Sequence, residues 1–178
     1  MHIIQQLFEI IVRKRQPQDL TYSLNAAIVI VSLTVALGTA VFATIPQLSI
    51  PFAYSITLSL TQALMIYAIL AIANKSNRYI QTITALFGVS LIIALLDLIV
   101  IKAGFLSALS LPLKIWNLIL IVLIFRAALD CSTPQAIVKT IAYHFLAGVT
   151  LFFLFPNFSN EVIQGLQEAQ MEIQAQSK

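Results

Sequence analysis

The sequence predicts an all-α membrane protein: a polytopic bundle of five transmembrane helices, with an N-terminal interfacial helix and a C-terminal amphipathic tail. Three observations predict it. Hydrophobic residues make up 60% of the 178-residue chain and charged residues only 10%, against about 25% charged in a soluble domain. Five apolar runs come near the ~20 residues that a helix needs to cross ~30 Å of hydrocarbon. The basic residues stand at or near the ends of those runs. The length suits one domain, since domains of about 100–150 residues are the commonest.

Each run has its own stop signals. Leu24–Ile45, "LNAAIVIVSLTVALGTAVFATI", holds no charge and is ended by Pro46. Phe52–Ile72 is ended by "NKSNR", and Ile80–Ile101 holds a single charge, Asp97. Lys114–Asp130 is the fourth run, and Gln135–Phe155, closed by Pro156, is the fifth. Helix is required because hydrocarbon offers no partner to an open backbone. The runs are also far too long for barrel strands of about 9–11 residues. Ahead of the fourth run, Ala103–Leu111 is expected to lie at the membrane surface as a short helix or loop, with Pro112 breaking continuity. Thr133 is expected to cap the fifth helix, with Pro134 at its first position. A cleaved signal peptide at "VFA", 41–43, is not expected, because the apolar core exceeds the usual 7–15 residues.

Two flanking segments are amphipathic. In residues 1–19, Ile3, Ile4, Leu7, Ile10 and Ile11 fall on one helical face, with His2, Gln5, Gln6 and Glu9 opposite. Arg13, Lys14 and Arg15 follow, which suits a helix held against anionic membrane lipid. In residues 157–178, Val162, Ile163, Leu166, Ala169 and Ile173 form a stripe, with Asn160 as a cap and Glu161 suited to the positive helix start. The membrane domain between them is expected to span 20–156.

Orientation follows from the basic residues. Arg13, Lys14, Arg15, Lys75, Arg78, Arg126 and Lys139 stand on one side against Lys102 and Lys114 on the other, seven against two. The expected topology has the N-terminus cytoplasmic and the C-terminus extracytoplasmic.

The polar residues near the spans are the candidate functional positions. Arg126 and Asp130, four apart, are expected to pair on one face, with Lys139 entering the next helix beside them. That cluster reads as a charged bend, with a lipid head-group or partner-docking site as the alternative. Asp97, Lys114 and Asn117 are expected to meet at the other side of the membrane, because a lone carboxylate there is costly. Gln62 and His144, near mid-depth, are expected to hydrogen-bond across a helix interface. Ala36 with Ala40, Thr84 with Gly88, and Gly148 are expected to mark close helix packing.

Other chemistry has no support in the residues. Cys131 has no neighbouring histidine to act as a base, and one cysteine cannot form an intramolecular disulfide in this chain. The ten Lys and Arg are spread over run ends and make no nucleic-acid groove. No catalytic, cofactor or metal motif stands out, and an enzyme is not expected.

Three strings carry a family resemblance: "RKRQPQDL" at 13–20, "ITALFG" at 83–88 and "WNLILIVLIFRAALD" at 116–130. With the five close-set spans, they resemble the bacterial branch of the Yip family, the Ypt/Rab-GTPase-interacting type of five-span membrane protein. The likeness covers about Leu20–Pro156. It implies an integral scaffold or adaptor that works through protein or lipid contacts, with a protein partner or as a homo-oligomer. A small oligomeric transporter or channel subunit using Asp97 or His144 is the alternative.

Overall fold

Ser23 stands extended ahead of the first long helix, and its side chain accepts a hydrogen bond from the Ala26 amide at 3.2 Å. That cap satisfies one of the donors a helix start leaves open. In this computed structural model six α-helices follow one another: α1 Ile3–Ile11, α2 Leu24–Phe42, α3 Pro51–Ile72, α4 Tyr79–Lys102, α5 Ser110–Leu129 and α6 Thr133–Leu154. Short 3-10 turns at Pro17–Asp19 and Ser76–Arg78 lead into α2 and α4. The structure describes residues 3–43, 45, 48–102, 109–158, 160–161, 163–164, 167 and 171, with the side chains of 101–102 excepted. Among these there is no strand, and α2 to α6 are each long and apolar enough to cross a membrane. The chain is an all-α membrane bundle.

Two helix starts differ from expectation. Pro112 lies inside the first turn of α5 and does not separate that helix from a surface segment. Its missing N–H removes nothing there, because the first-turn donors have no helical acceptor. Residues 103–108 of the expected surface segment lie outside the described residues. Ser132, one residue earlier than Thr133, is the N-cap of α6, and its amide donates to Gln135 Oε1 at 3.2 Å.

α4 is the central helix. Its turns from Thr82 to Val89 are buried on every side, and it packs against α1, α2, α3 and α5. α2 also packs on α3, α3 on α6, and α6 on α5, which closes the ring. The close approaches fall elsewhere than the small-residue spacing suggests. Ala36, Ala40 and Gly148 are not at interfaces: the alanines are exposed, and a Cβ on Gly148 would meet nothing within 4 Å. Instead a Cβ on Gly38 of α2 would overlap Ser55 Oγ of α3, and that hydroxyl donates to Val35 O at 2.8 Å. Gly88, as expected, is a contact point, but with the N-terminal helix: a Cβ there would lie 2.6 Å from Leu7 Cδ1.

α1 is therefore docked into the bundle. Leu7 and Ile10 are buried, and so is Gln6, placed on the polar face by sequence. Gln6 is tolerated because both ends of its amide are used: Nε2 donates to Thr21 Oγ1 and Oε1 accepts from the Thr21 amide, each at 3.0 Å. Ile4, Phe8 and Val12, one turn apart, are exposed. α1 thus carries one apolar stripe toward the bundle and another away from it.

Candidate functional site

Three chain reversals meet at one end of the bundle. After α1, α3 and α5 the backbone turns left-handed at Arg13, Asn74 and Asp130, with φ of 60°, 55° and 50°. Such a residue lets the following amides bond back to carbonyls the helix end leaves open. Lys14 N bonds to Glu9 O at 2.7 Å, Lys75 N to Leu70 O at 2.8 Å and Cys131 N to Arg126 O at 3.2 Å. The left-handed region costs an L-residue about 1–2 kcal/mol, least for Asn and Asp.

The reversal at Asp130 decides its partner. Leaving the helix turns its carboxylate away from Arg126 and toward the α3–α4 link. There Lys75 Nζ stands 2.8 Å and Arg78 Nη1 2.9 Å from Asp130 Oδ2. The expected Arg126–Asp130 pair is not made, because an i,i+4 geometry needs both residues helical. Arg78 Nη1 also donates to the Ala127 and Ala128 carbonyls at 3.3 and 3.0 Å, closing the end of α5. The hydrogen bonds from Arg78 and then Lys75 hold the Asp130 carboxyl down to a pKa of about 2.

Beside this ionic cluster lies a cleft of about 470 Å³, between the α1–α2 link and the last turns of α5. Arg13, Arg15 and Arg126 line it together with Ile10, Leu123 and Ile124. Arg15 is engaged, 2.7 Å from Glu9 Oε2 and 3.1 Å from the Asp19 carbonyl. Arg13 and Arg126 form no ion pair among the described residues. Lys139 is not part of the cleft; it lies on α6 beside Pro134, Gln135 and Val138.

At the opposite end Asp97 and Lys114 do come together, at 3.7 Å. Among the described residues Asp97 Oδ1 is buried without a hydrogen-bond partner. Asn117 is not a third member: its Oδ1 accepts from Ser90 Oγ at 3.3 Å, between the same two helices. Gln62 and His144 do not meet either. The buried stripe of α6 is Ala136, Thr140, Tyr143, Ala147 and Leu151. His144 follows Tyr143 by one residue, about 100° round the helix, and is exposed. Its Nδ1 bonds to Thr140 O of its own helix at 3.0 Å.

Sequence reasoning missed one site. Glu161 accepts hydrogen bonds from Tyr54 OH at 2.8 Å, Ser49 Oγ at 3.1 Å and the Ser49 amide at 3.3 Å. These bonds, that from Tyr54 foremost, hold the Glu161 carboxyl below its usual range. Phe155, Phe158 and Phe42 surround the Tyr54 ring at 4.7, 4.9 and 6.2 Å. Nothing local could have found it, since Glu161 and Ser49 are 112 positions apart. Val162, Leu166, Ala169 and Ile173 of the expected tail stripe lie outside the described residues, as does His2.

Compared with known proteins, the chain matches no family model, no curated protein and no solved structure, so the Yip likeness rests on its three strings and five-span arrangement alone.

Proposed function

We propose that the chain is a multi-pass scaffold or assembly partner of a bacterial inner membrane, Yip-like in kind, with its N-terminus on the cytoplasmic side. It acts through protein or lipid contacts at the ends of the bundle and is not an enzyme. One observation carries this reading, the filling of the interior. Leu70, Leu86, Leu120, Ile124 and Phe125, from three helices, are at most 1% exposed. The ion pairs gather at the two ends. A mainly apolar core, whose buried Thr82, Thr84 and Thr140 hydroxyls bond back to their own helices, suits a body that docks others, whereas a conduction path needs polar groups along its length. The orientation is supported by the basic residues clustered around one end.

Photo-crosslinking residues placed at the exposed positions Asn77 and Ser132, in intact cells, test the scaffold reading. Discrete protein or lipid adducts are expected, and saturable ion or solute flux by the purified protein in liposomes would overturn it. Single cysteines in a Cys131→Ser background test orientation. Asn157→Cys should react with an impermeant reagent in whole cells and Asn77→Cys should not; the reverse pattern would invert the topology.

A second reading, a small oligomeric transporter subunit, has one observation in its favour. Among the described residues Asp97 Oδ1 is buried without a hydrogen-bond partner, and an intramembrane carboxylate marks an ion or proton route by default. The same liposome measurement distinguishes it. His144 lends it no support, since it faces away from the other helices.

A further inference from the structure

The charges at the basic end are unevenly spent. Lys75 and Arg78 are committed to Asp130, and Arg15 to Glu9. Arg13 and Arg126 are exposed, form no ion pair among the described residues and line one cleft. The carboxylate on the rim of that cleft, Asp130, is answered by two cations and leaves the arginines without a competitor. Below the arginines the lining is apolar: Leu123 of α5 is half-buried, and Ile10, Leu120 and Ile124 close the cleft behind it. The cleft volume, about 470 Å³, is that of a ligand site and well above a packing defect.

We infer that this cleft binds an anionic phospholipid, with its phosphate between Arg13 and Arg126 and the first methylenes of an acyl chain against Leu123. The inference rests on the membrane-embedded bundle proposed above, with this end at the head-group level. Guanidinium groups match phosphate oxygens two at a time, which an ammonium does not. Basic pockets between helices at that level are the expected form of a phospholipid site. A free phosphate would use the arginines but leave the apolar wall idle. α1, which supplies one side of the cleft, exposes Ile4, Phe8 and Val12 on its other side. Those residues suit hydrocarbon.

The test uses the full-length protein in detergent, unfolded by heat in the presence of phosphatidylglycerol, phosphatidylcholine or glycerol phosphate. Phosphatidylglycerol should raise the midpoint saturably, and the other two should not at equal concentration. Arg13→Gln with Arg126→Gln should weaken the apparent affinity about thirty-fold, since each cation at a membrane surface is worth ~1 kcal/mol. Lys114→Gln, at the opposite end of the bundle, should leave the affinity unchanged. Leu123→Trp, at a half-buried wall position, should block the chain while keeping both arginines, and keeps the test decisive if the double variant does not fold. An equal rise for all variants, the same rise with phosphatidylcholine, or a full response to glycerol phosphate would overturn the proposal. None of those outcomes touches the scaffold reading, which the crosslinking and liposome experiments decide.

Discussion

At the basic end, Asp130 is shared by Lys75 and Arg78 at 2.8 and 2.9 Å, whereas at the opposite end Glu161 takes its bonds from the neutral groups of Tyr54 and Ser49. The first carboxylate sits on short links, in reach of two cations supplied by a single turn. The second is brought back by a chain that has already crossed the bundle, and it closes over the aromatic rings of Phe42, Phe155 and Phe158. Each charge answers a helix end. Arg78 meets the open carbonyls of α5, and Glu161 meets the amide of Ser49 just ahead of α3. Cations at helix C-termini and carboxylates at N-termini are the favoured arrangement. The two ends thus follow one electrostatic rule with different donors. Both carboxylates are held below their ordinary pKa, so both ends respond to acid, and the aromatic end adds the packing of its rings.

Several substitutions break or sharpen that contrast. The largest effect is expected at Gly88→Leu, which drives a side chain into Leu7. Overpacking of this kind costs about 1–3 kcal/mol. The variant should unfold earlier in a thermal scan and become open to trypsin at Arg13–Arg15, while the Tyr54–Glu161 contact persists. Unchanged protease resistance would mean that α1 does not depend on its seat against α4.

Next is Tyr54→Phe, which keeps the ring among its aromatic neighbours and removes only the hydroxyl that Glu161 accepts from. A loss of about 1 kcal/mol is expected, measured by the same scan. A much larger loss would make the hydroxyl, and not the rings, the main closure of that end.

Asp97→Ala and Lys114→Ala should each destabilise, and together by less than the sum, with a coupling near 0.5 kcal/mol. The coupling is small because the pair is 3.7 Å apart and the Lys114 side chain is 64% exposed. Simple additivity would count against the contact.

Asp130→Asn should cost less at neutral pH, since the carboxylate is half exposed. The pH dependence is the sharper reading. The folded pKa, about 2, lies below that of an unfolded aspartate, which is about 3.9. Its contribution is therefore complete above pH ~4 and lost as pH falls toward ~2. The stability difference between parent and variant should vanish over that window, and a constant difference would exclude an ionic role.

The smallest effect is expected at His144→Gln. The ring is exposed and bonds only to its own helix, so stability should change by less than ~0.5 kcal/mol. A larger loss, or a loss of flux in liposomes, would restore His144 as a working residue.

Length and hydrophobicity sufficed for the number of long helices and nearly all their limits, because crossing hydrocarbon imposes a local demand on each run of ~20 residues. Prolines and capping residues set the ends to within a few positions, as at Phe42, Leu129 and Leu154. One polar contact, Asp97 with Lys114, was also legible, since adjacent helices of known length bring their ends together. What the sequence could not determine was which side of each helix faces inward. A span that is apolar all round has no amphipathic stripe to orient it. The burial of α4, the outward turn of His144 and the meeting of Gly38 with Ser55 were therefore decided by which helices became neighbours. Partners in charge were decided the same way. The backbone reversal at Asp130 exchanged Arg126 for Lys75 and Arg78, and the docking of α1 used the Gln6 amide on Thr21. Glu161 reached Tyr54 across more than a hundred residues, which only the folded bundle brings within hydrogen-bond distance.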